Sequence, residues 1–259
     1  MQSKGFVFSK RIDSFFRKFY EIYLFVLRFF KEAFLPPYEF KEVITQCYEL
    51  GVRSLPLISI TGFIIGLVFT NQSRPSLEEF GASSWLPALV AVAIIRALAP
   101  LVTALIASGR VASKIGAEIG SMKVSEQIDA MEVSAIKPFR FLVVTRVFAT
   151  TLMIPALTLY TALVSLMGAF LNIYQNEETS IITFFEQVFG AITYLDVFSS
   201  VIKSFVFGFT IGIVGCYKGY TSSKGTQGVG KAANTSVVIA MFLIFIEELL
   251  AMQIINALR

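Results

Sequence analysis

The sequence predicts an all-α polytopic membrane protein with an N-terminal interfacial amphipathic helix, five membrane-spanning helices and an amphipathic helix on the cytoplasmic side. Three observations carry this. Of 259 residues, 55% are hydrophobic and 15% charged, with a mean hydropathy of +0.71; a soluble domain of this size carries about 25% charged residues. Five apolar stretches, roughly 55–70, 85–107, 141–171, 194–217 and 235–255, are spaced along the chain. The basic residues alternate between the segments that join them.

Elements follow in chain order. Residues 1–35 mix Phe and Tyr with Lys and Arg, so no uninterrupted apolar core of a secretory signal exists there. On a helix over 17–32, Arg17, Lys18, Glu21, Arg28, Lys31 and Glu32 fall within an arc of about 140°. Phe19, Ile22, Tyr23, Val26, Phe29 and Phe30 occupy the rest, with Leu24 and Phe25 as misfits. This pattern suits a helix lying in the membrane interface, aromatic face down. The alternative is a surface helix packed on the rest of the protein. Pro36-Pro37 ends it. The first apolar stretch is short and extends back towards Lys41 as a tilted or partly interfacial helix. The third is long enough to tilt or project. Pro56, Pro100 and Pro155 in or at the ends of spans are tolerated where neighbours satisfy the freed carbonyls.

Lys and Arg number nine in 1–53, five in 108–140 and three in 217–232, against one in 71–84, none in 172–193 and one in the C-terminal tail. Seventeen against two is a strong positive-inside asymmetry. It places the N-terminus and the 108–140 and 217–232 loops in the cytoplasm. The net charge of +4 and pI near 9.0 are explained by this topology, so nucleic acid need not be invoked as a partner. The absence of histidine excludes a Ser-His triad, a His-ligated metal and a His proton shuttle. Cys47 and Cys216 cannot build a metal cluster; they could make at most one disulfide, and the topology puts both near the reducing face.

The 108–140 segment is too polar to span and too regular for a slack linker. Val124, Ile128, Met131 and Ala135 recur at i, i+4, i+7 and i+11, the period of one helix face. Glu118, Lys123, Glu126, Gln127, Asp129 and Glu132 supply the polar sides, and Lys137-Pro138 terminates the helix. Such a helix between two spans can transmit force from a soluble partner; the plainer alternative is a helix that only packs on the bundle. Within the spans, Arg96, Lys203, Glu247 and Glu248 lie at similar nominal depth near the centres of their stretches. Charges there are expensive and mark functional positions by default. The expectation is that Arg96 pairs with one of the two glutamates, which point about 100° apart on a helix. The alternatives are a polar patch for a substrate headgroup and a purely structural ion pair. Gly62/Gly66 and Gly208/Gly212 have small-xxx-small spacing, which permits close packing or dimerisation. The run Gly225–Lys231 matches G-x-x-x-x-G-K, but Ala232 replaces the Mg²⁺-ligating hydroxyl residue and a span, not a strand, precedes it. It reads as a flexible Gly-rich loop. No catalytic constellation is apparent.

Three stretches resemble one family, the MlaE-type permeases of ABC transporters that work with MCE-domain lipid-binding proteins. They are Arg96-Ala-Leu-Ala-Pro100 with the following LVTALIASGRVASKIGAEIGSMKVSEQIDAMEV; Asp196 and Lys203 with Phe207-Gly208; and Cys216-Tyr-Lys-Gly219 with GTQGVGKAANTSVV. The resemblance covers nearly all of the chain after residue 45. It implies a single permease domain over 1–259, with the interfacial helix in 1–40, the bundle in 41–259 and a coupling helix at about 111–135. It implies a homodimer in the inner membrane of a Gram-negative-type bacterium, docked on two cytoplasmic ATPase subunits and a periplasmic MCE protein. The function implied is ATP-driven movement of phospholipids between inner and outer membranes to maintain outer-membrane lipid asymmetry. No cofactor is expected in this chain, Mg-ATP being held by the partner. Carried over by position, Lys123, Glu126, Gln127, Asp129, Met131 and Glu132 belong to the segment meeting the ATPase. Arg96 matches an arginine at the mouth of the lipid cavity, and Lys203, Glu247 and Glu248 complete the intramembrane polar set. Relatives commonly have an acidic residue after that arginine; here Ala97 stands there, and a glutamate of the last span is the expected substitute for its charge. Two other readings compete: an ion-coupled secondary transporter using Glu247, Glu248 or Lys203, which inverted repeats would favour, and a non-transporting scaffold for an ATPase.

Overall fold

The computed structural model describes residues 4–36, 38–177, 179–223 and 225–257, without the side chains of residues 4–15 and 18. Lys18 of the charged arc, Pro37 of the helix stop and the C-terminal Arg259 therefore lie outside the described side chains or residues. Every regular element among the described residues is helical. They are α1 (Lys4–Ala33), α2 (Phe40–Leu50), α3 (Leu55–Glu79), α4 (Leu86–Ala93), α5 (Ala99–Ala107), α6 (Ser113–Val124), α7 (Gln127–Val133), α8 (Thr145–Glu177), α9 (Ile181–Ala191), α10 (Tyr194–Tyr220) and α11 (Thr226–Ala257). Five helical runs are long and apolar enough to cross a membrane: Phe40–Glu79, Ser83–Val124, Phe139–Glu177, Tyr194–Tyr220 and Thr226–Ala257. The chain is a helical polytopic membrane protein.

Helix α8 is the hub, with α3 along one side and α10 along another, while α6 and α11 pack on α10. Small residues make these contacts possible. A Cβ on Gly66 would collide with the Ser165 carbonyl, and one on Gly208 would lie 2.6 Å from the Thr150 carbonyl oxygen. Both small-xxx-small pairs are thus consumed in packing α3 and α10 against α8 within one chain. Hydroxyls on this seam bond one another or nearby carbonyls: Ser165 Oγ donates to the Gly62 carbonyl at 2.8 Å, and Thr103 and Thr161 meet at 2.7 Å. This is how a bundle without a hydrophobic drive between its helices gains specificity.

Three expectations are corrected. First, the second span does not stop at 107. It runs through α4, a π turn at Ile94–Leu98, α5, a second π turn at Ser108–Ala112, and α6, because Ile115 and Ile119 are buried while Gly116 and Gly219 let α6 close on α11 and α10. The predicted coupling helix over 111–135 is therefore two helices. They break at Glu126, whose left-handed φ of 60° turns α7 so that Ile128 is buried and Met131 packs on the core. Val124 is only half-buried and Ala135, at φ 59°, ends the segment exposed. Second, the Gly-rich run is helical from Thr226 onward. Only Gly225, at φ 91°, belongs to a turn, and Gly228 packs against the Ser223 carbonyl. Third, Phe25 is an anchor rather than a misfit. Phe25, Phe29 and Ala33 form an i, i+4, i+8 stripe that docks α1, with Phe25 edge-on to Phe139 at 5.0 Å and to Tyr217 at 5.3 Å. Phe19, Ile22, Tyr23 and Phe30 stay exposed, as a helix embedded in an interface requires. Helix α9 was not foreseen. Ser180 caps it, its hydroxyl accepting from the Ile182 N–H at 3.2 Å, and Phe184 and Val188 bury against α4.

Candidate functional site

The intramembrane charges meet in one layer. Lys203 lies nine residues into α10 and Glu248 nine residues before the end of α11. Both are about 14 Å from those helix ends at 1.5 Å per residue. The group is therefore displaced from mid-depth towards the end of the bundle opposite α7. Its geometry starts from Pro100. An α-helical carbonyl at residue 96 would accept from the N–H of residue 100, and proline has none. The π turn at Ile94–Leu98 loosens the helix at the same place. The orphaned Arg96 carbonyl accepts instead from Lys203 Nζ at 2.6 Å. The same ammonium is 2.8 Å from Glu248 Oε1.

The Arg96 side chain turns the other way, to Asp196. Nε is 2.7 Å from Oδ1 and Nη2 donates to Oδ2 at 3.1 Å. Asp196 is held by the start of α10: Thr193 donates to it through its N–H at 3.0 Å and its hydroxyl at 2.6 Å, closing a capping box. The expected Arg96–glutamate pair is thus replaced by two pairs, Arg96–Asp196 and Lys203–Glu248, bridged by one backbone carbonyl. The charges of these four side chains sum to zero. Counter-charge for Arg96 comes from Asp196, so the idea that a last-span glutamate serves Arg96 in place of an acidic residue 97 does not fit this arrangement. Of the two adjacent glutamates only Glu248 enters the group. Glu247 accepts from the Thr210 hydroxyl at 2.5 Å, and its other oxygen is buried without a hydrogen-bond partner among the described residues.

Asp196, Lys203 and Glu248 are buried, whereas the Arg96 side chain is 34% exposed. It opens into a cavity of about 330 Å³ between the π turn, α10 and α11, walled by Val92, Ala93 and Met252. Val92 and Ala93 also border an almost wholly apolar groove of about 700 Å³ that runs along α4 to Trp85. A charged head end thus adjoins an apolar channel. Sequence reasoning passed over Asp196 as a site residue, although the Thr193-x-x-Asp196 spacing ahead of an apolar run is a capping signature and Arg96 needed an acidic partner.

At the opposite end, Glu126 at the break and Gln127, Asp129 and Glu132 on α7 face outward, with Lys123 bridging the break to Asp129 at 3.3 Å. Met131, which the resemblance assigns to the same segment and the periodicity to its apolar face, is turned towards the core. Val133, 90% exposed, takes an outward position that the periodicity did not mark.

The chain matches the family described as Permease MlaE over residues 43–254. It is 36% identical over 220 residues to a probable ABC transporter permease protein of Rickettsia prowazekii, covering 85% of both chains. It is 35% identical over 211 residues to a probable ABC transporter permease protein of Synechocystis, covering 80% of this chain and 79% of that one. It is also 31% identical over 208 residues to the Arabidopsis thaliana chloroplast protein named TRIGALACTOSYLDIACYLGLYCEROL 1, covering 80% of this chain and 59% of the plant protein. With the match spanning all five membrane helices, the chain belongs to the MlaE family of ABC transporter permeases.

Proposed function

We propose that this chain is the permease subunit of an ATP-driven phospholipid transporter, working as a homodimer in the inner membrane with cytoplasmic ATPase subunits and a periplasmic MCE-domain protein. The observation that carries the reading is the junction of the two cavities. The partly exposed Arg96 side chain, held by Asp196 at the cavity wall, suits a lipid phosphate, and the groove from Val92 to Trp85 suits acyl chains. A relative named for a galactosylated diacylglycerol is in keeping with a diacylglycerol-based lipid. Leaving a bilayer costs a lipid about 0.8 kcal/mol per CH₂ exposed, so extraction needs an apolar receiver and an energy source. The chain has no intact nucleotide motif, so the energy enters from the ATPase. Helix α7, with Gln127, Asp129 and Glu132 on it and Glu126 at its start, is the contact. Its short tie to α6, which packs on α10 and α11, supplies a route from that contact to the helices bearing Lys203 and Glu248. Closure of the ATPase pair then shifts the bundle between two packed states.

The test uses tagged protein purified from its native membranes in mild detergent, with a photoreactive residue at Val92 or Met252. ATPase subunits and an MCE-domain protein co-purify, phospholipid crosslinks at both positions, and Arg96→Gln reduces crosslinking about tenfold. Crosslinking without any ATPase, under conditions that preserve an authentic ABC complex, overturns the ATP-driven reading. An ATPase without crosslinked lipid overturns the lipid reading.

A further inference from the structure

Three of the arginines set into the bundle have carboxylate partners: Arg74 with Glu177 at 3.5 Å, Arg96 with Asp196 at 2.7 Å and Arg146 with Glu118 at 3.3 Å. Arg140 is different. It is only 6% exposed, yet among the described residues no carboxylate lies within 4.0 Å of it. Nη1 donates to the Pro36 carbonyl at 2.6 Å, and Nε, like that of the other three arginines, is buried without a hydrogen-bond partner among the described residues. A buried cation lacking a counter-charge is costly, and the surroundings show where one belongs. Arg140 lines an open cavity of about 500 Å³ bordered by three further basic residues, Arg28, Lys31 and Lys137. The two acids there, Glu32 and Glu132, leave the basic residues in excess, and Glu32 is already tied to Arg28 at 2.8 Å. Arg140, Glu32 and Leu35 also border a second cavity of about 340 Å³ whose surface is nearly all apolar, walled by Val43, Val144, Phe148 and Leu152. Both open beside the C-terminal end of α1, next to its exposed Phe30, Phe34 and Leu35.

We infer that this joint between α1, α2 and the start of the third span binds an anionic phospholipid of the leaflet at the α7 end. Its phosphate sits against Arg140, Lys31 and Lys137, and one acyl chain lies along Val144, Phe148 and Leu152. A basic pocket beside membrane helices is a recognised form of lipid-headgroup site, and the apolar neighbour distinguishes a lipid from a free anion. The bound lipid neutralises Arg140 and pins the connection at Pro36 through which α1 joins the first span. The site is separate from the Arg96 cavity, at the other end of the bundle, and does not depend on that cavity carrying substrate.

The chain's single tryptophan, Trp85, borders the groove of the Arg96 cavity, so a tryptophan reporter can be placed at either site. The experiment uses the full chain in detergent micelles, in a Trp85→Phe, Phe148→Trp background. Quenching is measured with phosphatidylglycerol and phosphatidylcholine brominated on their acyl chains. Phosphatidylglycerol quenches at about tenfold lower concentration than phosphatidylcholine, and Arg140→Gln removes the difference. Lys31→Glu with Lys137→Glu, both exposed and clear of the Pro36 bond, also reduces it, so loss of fold in the Arg140 variant does not decide the matter. In the background that keeps Trp85 and Phe148, the same charge changes leave the quenching of Trp85 unaltered. Equal quenching by the two lipids, or a preference that survives both sets of charge changes, overturns the proposal. Displacement of the quencher by inorganic phosphate at equal concentration overturns the lipid as the source of the anion.

Discussion

At the scale of single residues, the polar group near Arg96 shows how one missing N–H organises a site. Pro100 leaves the Arg96 carbonyl without its helical donor, Lys203 fills the vacancy from α10, and Glu248 neutralises Lys203 from α11. Breaking one partner of a buried pair leaves an uncompensated charge and costs about 3–5 kcal/mol. Lys203→Met and Glu248→Met are each expected to destabilise the protein on that scale, and the double variant less than the sum. Thermal unfolding in detergent, treated as a double-mutant cycle, reads the coupling; additive losses would mean that the pair does not act as a unit. Glu247→Gln, at a residue whose side chain accepts a hydrogen bond from Thr210 and forms no ion pair among the described residues, should cost less than Glu248→Gln in the same measurement.

At the scale of elements, glycine positions set the spacing of helices and one left-handed residue sets the direction of α7. Gly66→Leu and Gly208→Val force side chains into the backbones of α8, and overpacking of this kind typically costs about 1–3 kcal/mol. Both should lower the unfolding temperature. Gly190→Ala, whose Cβ would meet nothing within 4 Å, serves as a control and should not. At Glu126 the backbone conformation favours glycine. Glu126→Gly therefore keeps or eases the break while removing the carboxylate, whereas Glu126→Lys reverses the charge. If the charge is what the ATPase reads, both substitutions weaken co-purification, the lysine more strongly. If only the break matters, Glu126→Gly co-purifies as the unsubstituted chain does. Asp129→Lys should behave as Glu126→Lys.

At the scale of the whole molecule, α11 leaves Val238, Phe242, Phe245 and Leu249 exposed along one face, and only a minority of its apolar window is buried. A second copy of the chain on this side would enclose the Arg96 cavity between two subunits. Native mass spectrometry of the detergent-solubilised protein should then show twice the 28.7 kDa chain mass. Charged substitution at Phe242 and Phe245 should shift it to a single chain; a single chain before substitution would place lipid, rather than a partner subunit, on this face.

The sequence by itself determined the class of the protein. Apolar length and the scarcity of charge set the five spans, because a chain in hydrocarbon must satisfy its backbone internally and does so as helices. The periodicity also placed Ile128 and Met131 on an inward face, and the amphipathic character of α1 was legible from its charged arc. Only the tertiary structure decided the partners. Arg96, Asp196, Lys203 and Glu248 come from three separate spans, and periodicity within one helix carries no information on which neighbour it meets. The same holds for Gly62/Gly66 and Gly208/Gly212, whose spacing permits close contact without saying whether the contact lies within a chain or between chains. The break at Glu126 escaped notice because no glycine or proline marks it: burial of Ile128 selects the left-handed turn over the local preference of a glutamate. Arg140 looked like one more positive charge at a membrane face until its burial, and the lack of any carboxylate beside it among the described residues, set it apart. That difference is made by the packing of α1, α2 and the third span around it, and no window of the sequence contains all three.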